Sequence, residues 1–264
     1  MRDMPLDQRP ARSVFDAAAA EYDAARPSYP DGLFDAVEAA AGPLAGRLVL
    51  DWGAGTGISS RQLAGRGARV VLLDIGEQML RYARARDPRS RCVLAHGSHM
   101  PVRAETTDLT TFAQSFHWFE RPAAMAEIAR VLRPGGSWAA WWNRPEARGA
   151  DWFERYQDVL LAYCPGYTWR DKEDADLAPD WSDPAVRQAG HLEPAGVVAV
   201  RWTRQVTAAQ WTTDERSKSY IISLEPGLRE DVLGQLAAIV RGQFPDGQLV
   251  VPYITTLLVA RKAD

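Results

Sequence analysis

The stretch Val49-Leu50-Asp51-Trp52-Gly53-Ala54-Gly55-Thr56-Gly57 decides how this chain is read. An apolar strand runs into three alternate glycines and then into a helix. Glycine there lets the backbone turn tightly and lets a ligand approach main-chain N–H groups with no Cβ in the way. The helix that follows turns its positive end toward the same place. Dinucleotide enzymes use a glycine-rich turn too, so the turn alone does not name a ligand. The spacing says more: it is G-x-G-x-G, and Ile58 stands where G-x-G-x-x-G needs its third glycine. Asp51 closes the strand just ahead of the turn. A carboxylate there repels a pyrophosphate and favours a ligand carrying an ammonium or a sulfonium.

The second strand points the same way. Residues 68–74 (ARVVLLD) are apolar and end in an acid, about one βαβ unit after the glycine loop. An acidic side chain at that place accepts both hydroxyls of a ribose. Two carboxylates, a close backbone turn and a ribose together suit S-adenosylmethionine better than NAD.

Further motifs follow in order along the chain. Tyr22-Asp23 and Arg26-Pro27-Ser28-Tyr29-Pro30 precede the loop. After it come Leu73-Asp74-Ile75-Gly76-Glu77-Gln78-Met79-Leu80, then Met100-Pro101, then Gln114-Ser115-Phe116-His117-Trp118-Phe119, then Arg130-Val131-Leu132-Arg133-Pro134-Gly135-Gly136. Through these the chain resembles, over nearly its whole length, the class I S-adenosylmethionine-dependent methyltransferases. The resemblance is greatest to the branch of trans-aconitate-type and antibiotic-tailoring enzymes, which act on small molecules.

The resemblance implies an α/β, Rossmann-like mixed seven-stranded sheet with the last strand antiparallel. Helices would lie on both faces, with a helical and aromatic cap. It implies that backbone groups of Gly53, Ala54, Gly55 and Thr56 hold the methionine end of the cofactor, beside Asp51, and that Asp74 holds the ribose. Ile75 and Met79 would pack near the adenine, although both are equally good core residues. Residues 95–101 (AHGSHMP) align with a segment in which an acid often receives the adenine edge. This chain has no acid there, so the task falls to Gly97 and Ser98. Ala113, Gln114 and His117 end the fourth strand at the carboxyl edge where open α/β sheets bind ligands. His117 would lie near the transferred methyl as a base or an orienting group, or would only bond its own loop. Trp118 and Phe119 read as core more than as substrate wall. Tyr22, Arg26 and Tyr29 would form a lid over the cofactor carboxylate, a task that suits a bidentate guanidinium. Trp52 departs from the family's usual aliphatic residue and fills core behind the loop, with no functional role assigned.

Composition narrows the remaining classes. The chain has 264 residues, enough for one large α/β domain, and 46% hydrophobic with 25% charged residues is the balance of a soluble globular protein. A net charge of −3 gives no general attraction to nucleic acid or to anionic membranes. Cys92 and Cys164 are the only cysteines, which fits a reducing cytoplasm and implies no disulfide framework. No apolar run reaches the length of a membrane span, and no signal peptide opens the chain. His96, His99 and Cys92 match no zinc spacing, so no metal is expected. Abundant arginine and alanine runs suggest a GC-rich genome, and the resemblance to antibiotic-tailoring enzymes implies bacterial secondary metabolism.

The organisation is read as one domain over 1–264, with cap-forming segments at 13–30, 144–182 and 207–243. Helical patterns at 13–25 and 31–42 are separated by Pro27 and Pro30. Strands are expected at 47–51, 68–74, 91–95, 108–113, 137–143, 197–203 and 249–260. Helices at 57–66, 76–87 and 121–132 alternate with them, which argues a parallel sheet covered on both faces. Pro134-Gly135-Gly136 reads as the turn into the fifth strand. The aromatic stretch 144–182 suits a pocket cap or a second small core equally well. Ser217, Ser219 and Tyr220 suit the same pocket cap or, more readily, core and helix-end roles. The expected activity is methyl transfer to a small-molecule acceptor, releasing S-adenosylhomocysteine. Two alternatives stay open: another reaction, such as a cyclisation or rearrangement, with the cofactor as a structural cation, or a non-catalytic cofactor-binding module.

Overall fold

The computed structural model describes residues 19–95, 99–167 and 192–263. Seven strands form one sheet: β1 Leu48–Trp52, β2 Arg69–Asp74, β3 Arg91–Leu94, β4 Thr107–Ala113, β5 Leu132–Pro145, β6 Leu192–Thr207 and β7 Gln248–Lys262. Their order is β3-β2-β1-β4-β5-β7-β6, with β7 antiparallel to both of its neighbours. This is the expected Rossmann-like mixed sheet.

Side-chain alternation along the strands sets the two faces. Trp138, Ala140 and Trp142 of β5 pack with Leu50, Phe112 and helix α5 (Arg121–Val131). Ala139 and Trp141 point the other way, into Leu33, Phe34 and Val37 of α2 (Asp31–Ala41) and Leu63 of α3 (Ile58–Gly65). Helix α4 (Glu77–Arg86) packs Leu80 and Ala83 on Leu72, completing that side. A strand buried on both faces must be apolar at every position, and this is why residues 138–142 of β5 are all hydrophobic.

Two motifs that look separate in the sequence are one contact. Arg130 near the end of α5 donates to the Met100 and Val102 carbonyls at 3.1 and 2.9 Å, while Glu127 accepts from the Met100 amide at 2.7 Å. The Pro134-Gly135-Gly136 segment differs from the expected turn. β5 already pairs at Leu132 with Thr107, and the next pairs are Leu109 with Ser137, so residues 133–136 bulge out of a strand that has begun. Gly136 is required there, because a Cβ would lie 2.8 Å from the Arg133 carbonyl oxygen.

The C-terminal half extends beyond the expected strands. β6 and β7 pair from Leu192 with Lys262 to Thr207 with Gln248, whereas β5 follows β7 only as far as Tyr253. The overhanging end of this hairpin carries a second core built from α6 (Asp151–Tyr163), α7 (Ala208–Arg216), α8 (Ser219–Ile222) and α9 (Pro226–Gln243). The expected helical block 207–243 is thus three helices, and α7 begins with a reciprocal Thr207–Gln210 capping box. Of the aromatic stretch, Trp152, Phe153, Tyr156 and Tyr167 enter this core, while Tyr163 is exposed. Trp169 and Trp181, with the rest of 168–182, lie outside the described residues, as does 13–18 of the first predicted helix.

Helix α1 (Ala19–Ala25) is fixed to that core by buried charge. Arg204 of β6 pairs with Asp214 at 2.6 Å and also donates to the Ala25 carbonyl at 3.0 Å and the Tyr253 hydroxyl at 3.0 Å. Arg26 reaches Asp214 at 3.6 Å and the Ser217 carbonyl at 3.2 Å. Burial works against the charge of Asp214, but Lys218, Arg26 and Arg204 outweigh it and hold the carboxyl below its ordinary range. Removing one partner of a buried pair strands the other charge, so Asp214→Ala should cost about 3–5 kcal/mol in denaturant unfolding. The double change Arg204→Met with Asp214→Leu should cost much less. A loss under about 1 kcal/mol for Asp214→Ala would show that the pair does not hold α1 in place.

Candidate functional site

A cavity of about 300 Å³ opens at the carboxyl ends of β1, β2, β4 and β5 and continues beneath the C-terminal helices. At its first end the glycine loop lies on the end of β2. The Gly53 and Ala54 amides both donate to the Leu73 carbonyl, at 2.8 and 3.1 Å. Asp74 then accepts from the Gly55 amide at 2.7 Å through one carboxylate oxygen and from the Gly76 amide at 2.8 Å through the other. A carboxylate offers about four acceptor positions, more than these two amides use.

The glycines have different tasks. A Cβ on Gly53 would lie 2.7 Å from the Ser115 Cβ, so this glycine serves close packing of the loop on the β4 end. Gly55 has φ +55°, and among the described residues, its chain neighbours aside, nothing lies within 4 Å of the Cβ it lacks. That open cradle faces the cavity, as a loop that receives a ligand on its backbone requires.

Most of the expected residues meet here: Tyr22, Arg26, Gly53, Gly55, Asp74, Ile75, Met79, Ala113, Gln114 and His117 all line the cavity. So do Trp52, Trp118 and Phe119. Trp52 is fully buried against Phe112 and Phe119, with ring centroids at 5.2 and 4.9 Å, so it forms the floor of the site as well as core. Gln114 adopts φ +58°, unusual for a residue with a side chain, and its amide nitrogen donates to the Asn143 carbonyl at 3.2 Å. Ser115 ties the β4 end to β1 by donating to the Trp52 carbonyl at 2.6 Å.

Two expectations change. Asp51 does not face the cavity: it is wholly buried behind the loop, accepting from the Ser60 and Thr111 hydroxyls at 2.6 and 2.9 Å. Burial pushes its carboxyl up to about 6, against those two hydrogen bonds and with the neighbouring charge of Asp74 adding. Tyr29 also leaves the site. Its ring packs edge-on against Trp141 in the core on the α2 side, so of the expected lid only Tyr22 and Arg26 reach the cavity. Ala54 and Thr56, expected to act through their backbone, keep their place in the loop with side chains turned inward, Ala54 onto the Leu72 cluster and Thr56 into full burial. Gly97 and Ser98 lie outside the described residues.

His117 sits in the 3-10 turn Phe116–Trp118 after β4, exposed toward the cavity. Its Nδ1 accepts from the indole N–H of the buried Trp142 at 3.2 Å. Indole only donates, and an imidazolium would set N–H against N–H. The neutral ring with its proton on Nε2 therefore fits this position.

The far end of the cavity is formed by residues of the expected cap segments 144–182 and 207–243. Phe153, Tyr156, Gln157 and Leu160 of α6 face it together with Tyr167, Trp211, Glu215, Lys218 and Tyr220. Glu215 accepts from the Tyr220 hydroxyl and from Lys218, both at 2.7 Å. Burial raises both Tyr156 and Tyr220 well above the usual phenol range, so they stay neutral. The signal available was the spacing 153, 156, 157, 160, which places four residues on one helical face.

Comparison with known proteins agrees with this geometry. Residues 50–140 match the model of a methyltransferase domain. An uncharacterized methyltransferase of Mycobacterium bovis is 30% identical over 98% of this chain and all of its own length. A protein from Anaeromyxobacter dehalogenans, solved as a type II methyltransferase, is similar with a TM-score of 0.61 and 22% identity over 90% of this chain and 97% of its own. The cyclase SpnF shares the fold at a TM-score of 0.54 and 18% identity, covering 97% and 96% of the two chains. Fold and similarity define an enzyme built on a Rossmann-like sheet with a cavity at its carboxyl edge. The chain belongs to the class I S-adenosylmethionine-dependent methyltransferases.

Two predictions follow from the loop. Asp74→Ala removes the acceptor for both loop amides, and Gly55→Ala fills the cradle. Each should weaken S-adenosylhomocysteine binding by at least about tenfold, roughly the worth of one charge-assisted hydrogen bond. Unchanged affinity in both, measured by calorimetry, would place the pocket elsewhere. Asp51 gives a pH signature. Its folded value exceeds the unfolded one, so the folded state holds the proton between about pH 4 and about pH 6. Stability should therefore fall as pH rises through that window, by up to about 3 kcal/mol. Asp51→Asn should flatten that part of the unfolding profile, and an unchanged profile would contradict the burial argument.

Proposed function

We propose that the enzyme transfers the sulfonium methyl group of S-adenosylmethionine to a nucleophile on a small molecule. This is the chemistry of the trans-aconitate-type and antibiotic-tailoring enzymes it resembles. The observation that carries the reading is the single cavity that joins the Gly55–Asp74 cradle, through His117, to the aromatic chamber beneath α6–α8. One end fits a ribose and a backbone-bound ligand, and the other is enclosed by rings, with room for a compact molecule rather than a macromolecular surface.

When bound, the cofactor supplies an already activated methyl group. The protein's task is then alignment. Asp74 and the close backbone approach open at Gly55 fix the donor, and Arg26 takes its carboxylate. Burial opposes the Arg26 charge, but the facing Tyr22, Asp214 and Glu215 sustain it. Holding donor and acceptor in line can supply roughly 7–11 kcal/mol of barrier lowering. The acceptor lone pair forms the new bond to carbon as the sulfur–carbon bond breaks, and any acceptor proton is released to solvent.

His117 orients the acceptor in this account, because Trp142 occupies the Nδ1 lone pair and leaves the ring a donor at Nε2. Incubation with a metabolite extract and a donor labelled in its methyl group should place label in a small molecule with equal release of S-adenosylhomocysteine. Conversion of a metabolite without donor consumption would instead assign a rearrangement or cyclisation. On the labelled acceptor, His117→Ala should lower turnover by about 2–12-fold, the worth of one neutral hydrogen bond, with the pH profile unchanged. A loss of about 10²–10⁴-fold with a lost ionisation would make His117 the base.

A further inference from the structure

Gln157 has no place in the account so far. It lies in the middle of α6, on the face that also carries Phe153, Tyr156 and Leu160, all of them buried. That stripe is where an amphipathic helix carries apolar residues. Gln157 is only 5% exposed and lines the cavity, yet its amide oxygen has no hydrogen-bond partner. A buried polar atom left in this state is destabilising, and a Leu or Met of similar size would avoid the cost.

The neighbouring polar groups do not compensate for it, because they are engaged with one another. The Trp211 indole donates to the Tyr156 hydroxyl at 3.2 Å, and the Tyr220 hydroxyl and Lys218 are both taken by Glu215. What surrounds Gln157 in the chamber is mainly ring surface: Phe153, Tyr156, Tyr167, Trp211 and Tyr220. Tyr167 and Tyr220 meet edge to face at 5.1 Å, as do Tyr156 and Trp211 at 6.2 Å. Rings so arranged present faces and edges to a flat guest.

Resting on the methyltransferase reading above, we propose that this chamber is the acceptor subsite. Its ligand is a compact aromatic molecule bearing a hydroxyl group that donates to the Gln157 amide oxygen. Gln157 is a specificity-determining residue and does not act on the reacting atoms. A site built to hydrogen-bond a hydroxyl rejects the analogue that lacks it far more strongly than a ring-lined wall distinguishes shapes.

The test uses 2-naphthol and its methyl ether, 2-methoxynaphthalene, which has the same ring system without the donor. Equilibrium dialysis against the enzyme saturated with S-adenosylhomocysteine should show 2-naphthol binding at least about tenfold more tightly. In Gln157→Leu and in Gln157→Met the ratio should fall to within about threefold, with 2-methoxynaphthalene bound as well as before or better. Both variants should melt at or above the parent temperature, since each removes a buried unpaired amide oxygen. Equal affinity of the two probes for the parent, an undiminished preference in the variants, or no binding of either probe at millimolar concentration would overturn the proposal. A calorimetric titration of the same samples separates the two levels. Normal S-adenosylhomocysteine binding alongside any of those failures removes the acceptor assignment alone, whereas no binding of it removes the methyltransferase reading and the proposal together.

Discussion

The site depends on the Asp74 carboxylate. It accepts from Gly55 with one oxygen and from Gly76 with the other, joining the glycine loop after β1 to the start of α4 after β2. Without it the loop would be held on that side only by the two amides bonded to the Leu73 carbonyl. The same carboxylate lines the cavity, so one group both shapes the cradle and faces the open space beside it. Charge-assisted bonds of this kind are shorter and about twice as strong as neutral ones, which suits a loop of glycines with little side-chain packing of its own.

Asp51 belongs to the same arrangement from the inside. Buried and bonded by Ser60 of α3 and Thr111 of β4, it ties the strand before the loop to the helix after it and to the neighbouring strand. The two acids thus divide the work: one orders the base of the loop out of contact with solvent, the other orders its rim. The opposite wall is set by the overhang of the β6–β7 hairpin past β5. That overhang carries α6–α9 and, through Arg204 and Asp214, holds α1 with Tyr22 and Arg26 at the mouth of the cavity.

What the sequence disclosed were features encoded locally. A strand, three alternate glycines and a helix lie within a short run, and Asp74 follows one βαβ unit later, so both were legible before any contact was known. The ordered motifs extended this to His117 and the β4 end. The miscast residues depend on facing. Asp51 and Tyr29 sit at the right places along the chain, but the pleat of β1 and the packing of α2 turn them into the core. The Pro134-Gly135-Gly136 bulge was misread because a Pro-Gly-Gly run signals a turn equally well inside or before a strand. Arg204 and Asp214 were out of reach, because nothing local distinguishes them from surface charges on an edge strand and a helix. Gln157 was nearer to hand: its polar side chain interrupts an apolar face whose spacing was readable.

The central claim is that this fold holds S-adenosylmethionine chemistry and not a dinucleotide, and a calorimetric titration tests it most directly. S-adenosylhomocysteine and NAD are each titrated into the parent protein. The Gly55 cradle and the Asp74 carboxylate predict saturable one-to-one binding of S-adenosylhomocysteine and no measurable heat from NAD. Binding of NAD in preference to S-adenosylhomocysteine would contradict the account at its foundation.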